Sequence, residues 1–506
     1  MELELIREKL TCFEPVHSAV TRCEETLEAI VPDNLPDVGH IIDACGAALV
    51  RGKEISDGKA QVTGVAAVGI IYAPEGGEGV IGLDVGIPFT CSFEGNGLNA
   101  DCSPVITCYL SSADARLLNP RKILVRAEVT VMMTAWSPQT TELCTGVKDG
   151  AHAETLMGEY NLCLVTDVVE KSFTIAEEQE LSSARPAAGQ ILGGRISLTP
   201  GESRAVGNKV VSKGTAYLTI LYSAESDGGL CTASFELPYS QILELSGAKE
   251  NAECFVYPLL TGWEIGIIDD QNAPGRVLSI TLYIAMQCIA AESMIVNVVS
   301  DLYSTENDLT ADISEISLNA SYDRTQKRQS VREILELPEL RSIVDTHVMF
   351  SGARKSDDGD VLLADANVTI VYYDNEGKLV SSSNRMPVSL RLESGAGLST
   401  VPVTAIEAYA VPVSGGAEVR FDAEFDISAA GRIKLPVVSG VAPASPGENV
   451  RRPAIILRTV SAGESLWDIA KHYGASSSDI IQVNGLDENA SLTPGRLLLI
   501  PRKRGK

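Results

Sequence analysis

Gly64-Val-Ala-Ala-Val-Gly-Ile-Ile-Tyr72, Gly214-Thr-Ala-Tyr-Leu-Thr-Ile-Leu-Tyr222 and Ala364-Asp-Ala-Asn-Val-Thr-Ile-Val-Tyr372 are three versions of one segment, with tyrosines 150 residues apart both times. The agreement falls on every second residue: Gly/Gly/Ala, Ala/Ala/Ala, Val/Leu/Val, Ile/Ile/Ile and Tyr/Tyr/Tyr. A match with period two marks a β-strand with one buried face. The intervening residues drift toward Asp, Asn and Thr, and a solvated opposite face is expected. Ala66, Ala216 and Ala366 should be buried on the same side as the tyrosines.

Each strand runs into a turn rich in Gly and acidic residues: Pro74–Gly79, Glu225–Gly229 and Asp374–Gly377. Such turns supply the positive φ that tight hairpins need. The returning segments end in Ile87-Pro88-Phe89, Leu237-Pro238-Tyr239 and Met386-Pro387-Val388. Proline cannot donate to a ladder, so each belongs on an edge strand or at a strand end. A second alternating strand comes later in each unit, at Val125–Val131, Ile280–Met286 and Val419–Ile427. The expected fold class is therefore mainly β, with three repeated antiparallel β-rich domains near 1–150, 170–305 and 330–435. Polar segments such as Ser317–Arg332 read as connecting strands or loops.

Residues 436–453 (PVVSGVAPASPGENVRRP) mix Pro, Gly, Ser and small residues without a period and read as a linker. Beyond it the sequence changes character. A short strand at Leu457–Val460 precedes Ser465, which stands three residues before Asp468 as a capping-box pair. Leu466, Ile469, Ala470 and Tyr473 share one helical face, and Gly474 closes the helix. A second short helix ends at Asn484-Gly485, and Leu492–Pro501 returns as a strand. The order is β-α-α-β, in a small domain over 454–502.

Bulk properties restrict the function. The chain of 506 residues carries a net charge of −26, which disfavours nucleic acid and anionic lipid. Residues 451–506 are net +4 and the remainder −30, so two parts with different partners are expected. The first residues, MELELIREKL, lack the basic region of a signal peptide, and no apolar run is long enough to span a bilayer. The expected location is cytoplasmic. Eleven cysteines, an odd number without any CxxC, read as reduced and buried thiols. Five scattered histidines give no metal-ligand spacing, so neither a cofactor nor a metal is expected. Gly77-Glu-Gly-Val-Ile-Gly82 fits GxGxxG, but it runs on into a return strand and not into the helix that a dinucleotide site needs. No hydrolase or nucleotide-binding motif is present, and the chain is expected not to be an enzyme.

Two resemblances sharpen this reading. The repeat layout, with Ile30-Val-Pro-Asp-Asn-Leu-Pro-Asp-Val38 opening the first unit, resembles the SPOCS domains of clostridial spore-coat morphogenesis proteins, the SipL-like family. The second and third units depart from that element at Ala184-Arg-Pro186 and Leu337-Pro-Glu-Leu340. The C-terminal segment resembles a LysM domain almost throughout, with Glu464 where that family usually has Asp. The LysM resemblance implies a shallow groove for N-acetylglucosamine glycans, lined by Gly463, Glu464, Ser465, Leu466 and Trp467, by Asn484, Gly485 and Leu486, and by Leu492, Pro494 and Gly495. The glycines among these also serve as caps and turns, Leu466 as core, and Trp467 is open to packing, partner contact or sugar stacking. The combined resemblance implies a spore-coat scaffold in the mother cell at the forespore surface. Its implied partners are the coat's base-layer ATPase and other coat proteins, and the alternative is an envelope protein binding peptidoglycan.

Overall fold

The computed structural model describes residues 3–148, 153–246, 252–269, 274–306, 309–392, 400–443, 455–487 and 492–501. The first repeat comprises β1 (Leu5–Ile30), β2 (Val38–Ser56), β3 (Lys59–Pro74), β4 (Ile81–Glu94), β5 (Ser103–Asn119) and β6 (Lys122–Val147). The second comprises β7 (Ala153–Glu180), β8 (Ala188–Val206), β9 (Lys209–Ala224), β10 (Leu230–Glu244), β11 (Glu253–Ile268) and β12 (Val277–Ser304). In the third, β13 (Leu309–Glu336), β14 (Leu340–Lys355), β15 (Val361–Asp374), β16 (Leu379–Arg391), β18 (Val403–Val413) and β19 (Gly416–Pro443) keep the same order, with a two-residue β17 (Thr400–Val401) inserted. The last module has β20 (Ile455–Thr459), α1 (Leu466–Tyr473), α2 (Ser477–Asn484) and β21 (Leu497–Pro501).

Each repeat is a two-layer sandwich. Its middle three strands form an antiparallel meander (β2-β3-β4, β8-β9-β10, β14-β15-β16), while its first and last strands pair with one another in the facing layer. The quoted segments are β3, β9 and β15. Their alternate residues bury Ala66, Ala216 and Ala366 together with Tyr72, Tyr222 and Tyr372 against Val125–Val131, Ile280–Met286 and Val419–Ile427 of the facing layer. The Tyr72 hydroxyl donates to the Pro36 carbonyl and that of Tyr222 to the Pro186 carbonyl, at 3.0 and 3.2 Å. Arg121 clasps the same loop in repeat 1 through the carbonyls of Val31 and Leu35, and Arg276 holds the carbonyls of Ser182 and Arg185 in repeat 2. The loop is thus kept even where the VPD wording is lost. Pro88, Pro238 and Pro387 stand on β4, β10 and β16, the meander strands that lie at a sheet edge. The GxGxxG stretch is the β3–β4 turn, with Gly82 already in strand.

Four expectations need correction. The faces opposite the tyrosines are not solvated along their whole length. Ile71, Leu221 and Val371 are fully buried, because the three meanders turn these faces toward one another. Equivalent residues of all three repeats meet there: Ile42 with Leu192, and Val80 with Leu230 and Leu379. The repeats are therefore arranged about an approximate threefold axis.

The boundaries also move outward. Residues 153–169 and 309–329 are not spacers but the first halves of β7 and β13, and 436–443 is the end of β19 rather than linker. These halves, with those of β1, β6 and β12, form a second apolar core shared by the repeats, containing Leu143, Leu162, Val298, Leu302, Leu318, Leu435 and Val437. The remaining linker residues, 444–453, lie outside the described residues. Of the connecting strands or loops expected at Ser317–Arg332 the structure shows strand alone, wholly within β13, and its polarity has a cross-strand purpose. Arg324 pairs with Asp426, Arg328 with Glu424 and Arg332 with Glu418 along β19. Finally, not all thiols are free. Cys23 on β1 and Cys91 on β4 form a disulfide between the layers of repeat 1, and the other nine cysteines are unpaired.

Candidate functional site

In the C-terminal module, Ser465 caps α1, accepting from the Asp468 amide at 3.1 Å while its own amide donates to the Asp468 carboxylate at 3.0 Å. The Ser465 hydroxyl, which donates to the Asp468 carboxylate at 2.6 Å, and after it the Ser465 amide hold the Asp468 carboxyl below its ordinary range. Gly474 and Gly485 end the helices with left-handed φ of 58° and 57°. β20 pairs with β21, and Ile469, Ala470, Ile480, Leu498 and Ile500 fill a small core between sheet and helices.

Two of the three expected loops are brought side by side. The Gly495 amide donates to the Val460 carbonyl and the Val460 amide to the Arg496 carbonyl, both at 2.9 Å. This sets 461–465 beside 492–496. Gly463, Ser465, Gly485, Pro494 and Gly495 are exposed, and Leu466, Leu486 and Leu492 are half-buried against the core. These leucines make a partly exposed apolar floor beside loops whose Ser465, Gly485, Leu486 and Gly495 amides are already engaged.

Two of the expected residues have structural duties. The Asn484 side chain donates to the carbonyls of Ile480 and Leu499 and accepts from the Leu499 amide, stapling α2 to β21. Glu464 accepts from the Ser461 amide at 3.0 Å and pairs with Arg458, so it holds its own loop. The Ser461 amide is the main reason that its carboxyl lies below the ordinary range.

Trp467 faces a different neighbour. Its Nε1 donates to Asp301 Oδ2 at 2.9 Å, and its ring meets Tyr303 edge-on with centroids 4.9 Å apart. Lys471 Nζ lies 2.7 and 2.6 Å from the two Asp301 oxygens. Tyr303 reaches into the module's core and donates to the Ala475 carbonyl at 2.8 Å, and Ser476 donates to Glu154. The module is thereby seated on the ends of β7 and β12 in repeat 2. Asp301, Tyr303 and Glu154 could not be found from sequence, because nothing in an isolated β-strand says that a helix more than 150 residues away will cover it. Tyr303→Ala should release the module without unfolding it. Amide exchange in α1 should speed up and rotational correlation times for 455–501 should fall; unchanged dynamics would mean that the seat contributes nothing.

A βααβ unit with these caps and this apolar floor defines a LysM module, and residues 459–501 match the LysM domain. Residues 37–118 and 188–268 match the family described as SipL, SPOCS domain. The chain thus carries two SPOCS domains and a C-terminal LysM domain, the combination found in SipL-like proteins. The matched spans correspond to β2–β5 and β8–β11, and β14–β18 of the third repeat have the same order of long strands. No curated protein and no solved structure matches this chain. LysM and SPOCS are non-catalytic domain families, and together they fit a sporulation-related protein with a LysM module. Among the described residues no helix is long and apolar enough to cross a membrane.

Proposed function

We propose that the chain is a non-catalytic scaffold of the spore coat, working in the mother cell at the forespore surface. In this reading the LysM loops dock on the coat's base-layer ATPase while the three-repeat body recruits or spaces other coat proteins. The supporting observation is the seating of the LysM module on repeat 2. It fixes the direction of the exposed loops relative to a large acidic body, as a bridging protein requires, and two or more weak contacts can then act as one firm attachment.

The test separates the loops from the seat. Leu486→Asp places a charge on the apolar floor and should weaken capture of the ATPase by about tenfold or more. Trp467→Glu should disturb the seat and leave an isolated loop contact largely intact. Circular dichroism must show both variants folded. The second reading, favoured by the LysM family itself, is binding of N-acetylglucosamine glycans or peptidoglycan. It predicts that Leu486→Asp abolishes chito-oligosaccharide binding and spares ATPase capture, and that outcome would replace the scaffold reading.

A further inference from the structure

At the axis where the meanders meet, the apolar cluster gives way to charge. Asp43 on β2 and Asp345 and His347 on β14 are all more than nine-tenths buried. Arg195 from β8 in repeat 2 grips Asp345 with two hydrogen bonds, Nη1 to Oδ2 at 2.7 Å and Nη2 to Oδ1 at 2.8 Å. Asp43 Oδ2 and both ring nitrogens of His347 have no hydrogen-bond partner among the described residues. Such orphaned groups are costly to bury and call for an occupant.

The spacing says what kind. His347 Nδ1 stands 3.8 Å from Asp43 Oδ2 and 3.5 Å from Asp345 Oδ2, and one ligand atom from each residue lies within 4.8 Å of the others. These separations are too long for good hydrogen bonds. The 3.5 Å separation is close to the edge of about 3.3 Å that a tetrahedron has when its bonds to zinc are about 2.0–2.1 Å, and the 3.8 Å one needs a small inward shift of Asp43. The electrostatics agree. Two buried carboxylates, Asp43 and Asp345, face a single guanidinium, that of Arg195.

We propose that Asp43, Asp345 and His347 hold one divalent cation of the zinc type, clamping the first repeat to the third, with Arg195 of the second positioning Asp345. Imidazole with carboxylates is a donor set that zinc accepts. None of this shows as a motif, because the ligands belong to repeats 1 and 3 and each has an innocuous neighbourhood.

The experiment uses the full chain, stripped with a chelator, desalted and titrated with zinc chloride. Wild type should take up one more tight equivalent than the Asp43→Asn/His347→Gln double variant, because the thiols and the other histidines are common to both. Its thermal midpoint should rise with zinc while that of the variant stays fixed. Should the variant fail to fold, cobalt(II) on the wild type decides, since a tetrahedral site gives intense visible bands that zinc bleaches. Equal stoichiometry in both proteins, or neither bands nor stabilisation in the wild type, overturns the assignment.

Discussion

Arg195→Ala, studied in chelator-treated protein, should lose about 3–5 kcal/mol of stability, because it strands the Asp345 carboxylate inside the molecule. The urea midpoint should fall steeply, and the loss should appear as separation of repeats 2 and 3 before the sandwiches melt. The pH dependence carries a sign. Burial alone would raise the Asp345 carboxyl, but the Arg195 guanidinium and His347 outweigh it and hold the group well below the ordinary carboxylate range. A depressed folded value means that the pair's contribution is present in full above the ordinary carboxylate pKa and is lost as pH falls through the folded one. The gap between wild type and variant should therefore narrow as pH falls, first as the stranded Asp345 of the variant takes up a proton and then as the wild type loses the pair in strong acid. A gap that stays unchanged from neutrality into strong acid would show that another group governs it.

Tyr222→Ala should be the most damaging change inside a single repeat. The ring is fully buried and its hydroxyl is bonded to Pro186. Deleting a buried aromatic side chain costs about 3–5 kcal/mol, and Tyr222→Phe, which loses only the hydrogen bond, about 1 kcal/mol. Tyr72→Ala should behave alike in repeat 1. Denaturant unfolding of the Ala and Phe variants at both positions gives the comparison, and a Phe variant as damaged as the Ala variant would mean that the loop tie, not the core, is decisive.

How much of the fold is legible in the sequence depends on the range of the interactions. The meander strands are legible because their period-two pattern, turn glycines and edge prolines all act within some 30 residues. The C-terminal module is legible for the same reason: its caps, core and turns lie within one short segment. The outer strands are not. β13 pairs with β19 from Leu309↔Pro443 to Glu336↔Gly416, and its Arg324, Arg328 and Arg332 look like a solvated loop until their acidic partners are placed opposite. The axis is hidden for a related reason. Ile71, Leu221 and Val371 lie on the face that drifts toward polar residues, and only the third dimension shows that its last position is covered. The short-range β-α-α-β pattern of the module could be foreseen, but the seating of Trp467 on Asp301 and Tyr303 could not.

The closure of each repeat by its own first and last strands bears on how the chain reaches this state. β1 spans Leu5↔Val147 to Ile30↔Lys122 with β6, and β7 spans Ala153↔Ser304 to Val277↔Glu180 with β12. The opening strand of every repeat must therefore wait for the whole meander to be synthesised before its partner exists. Pairing over such separations is slow, and an unpaired strand is exposed meanwhile to the wrong partner. Three similar repeats make that hazard specific, since β1 could be claimed by β12 or β19, giving swapped or linked chains. Vectorial synthesis works against this, because β6 emerges well before β12. Refolding from denaturant, where all three closing strands compete at once, should be slower and less complete than folding on the ribosome.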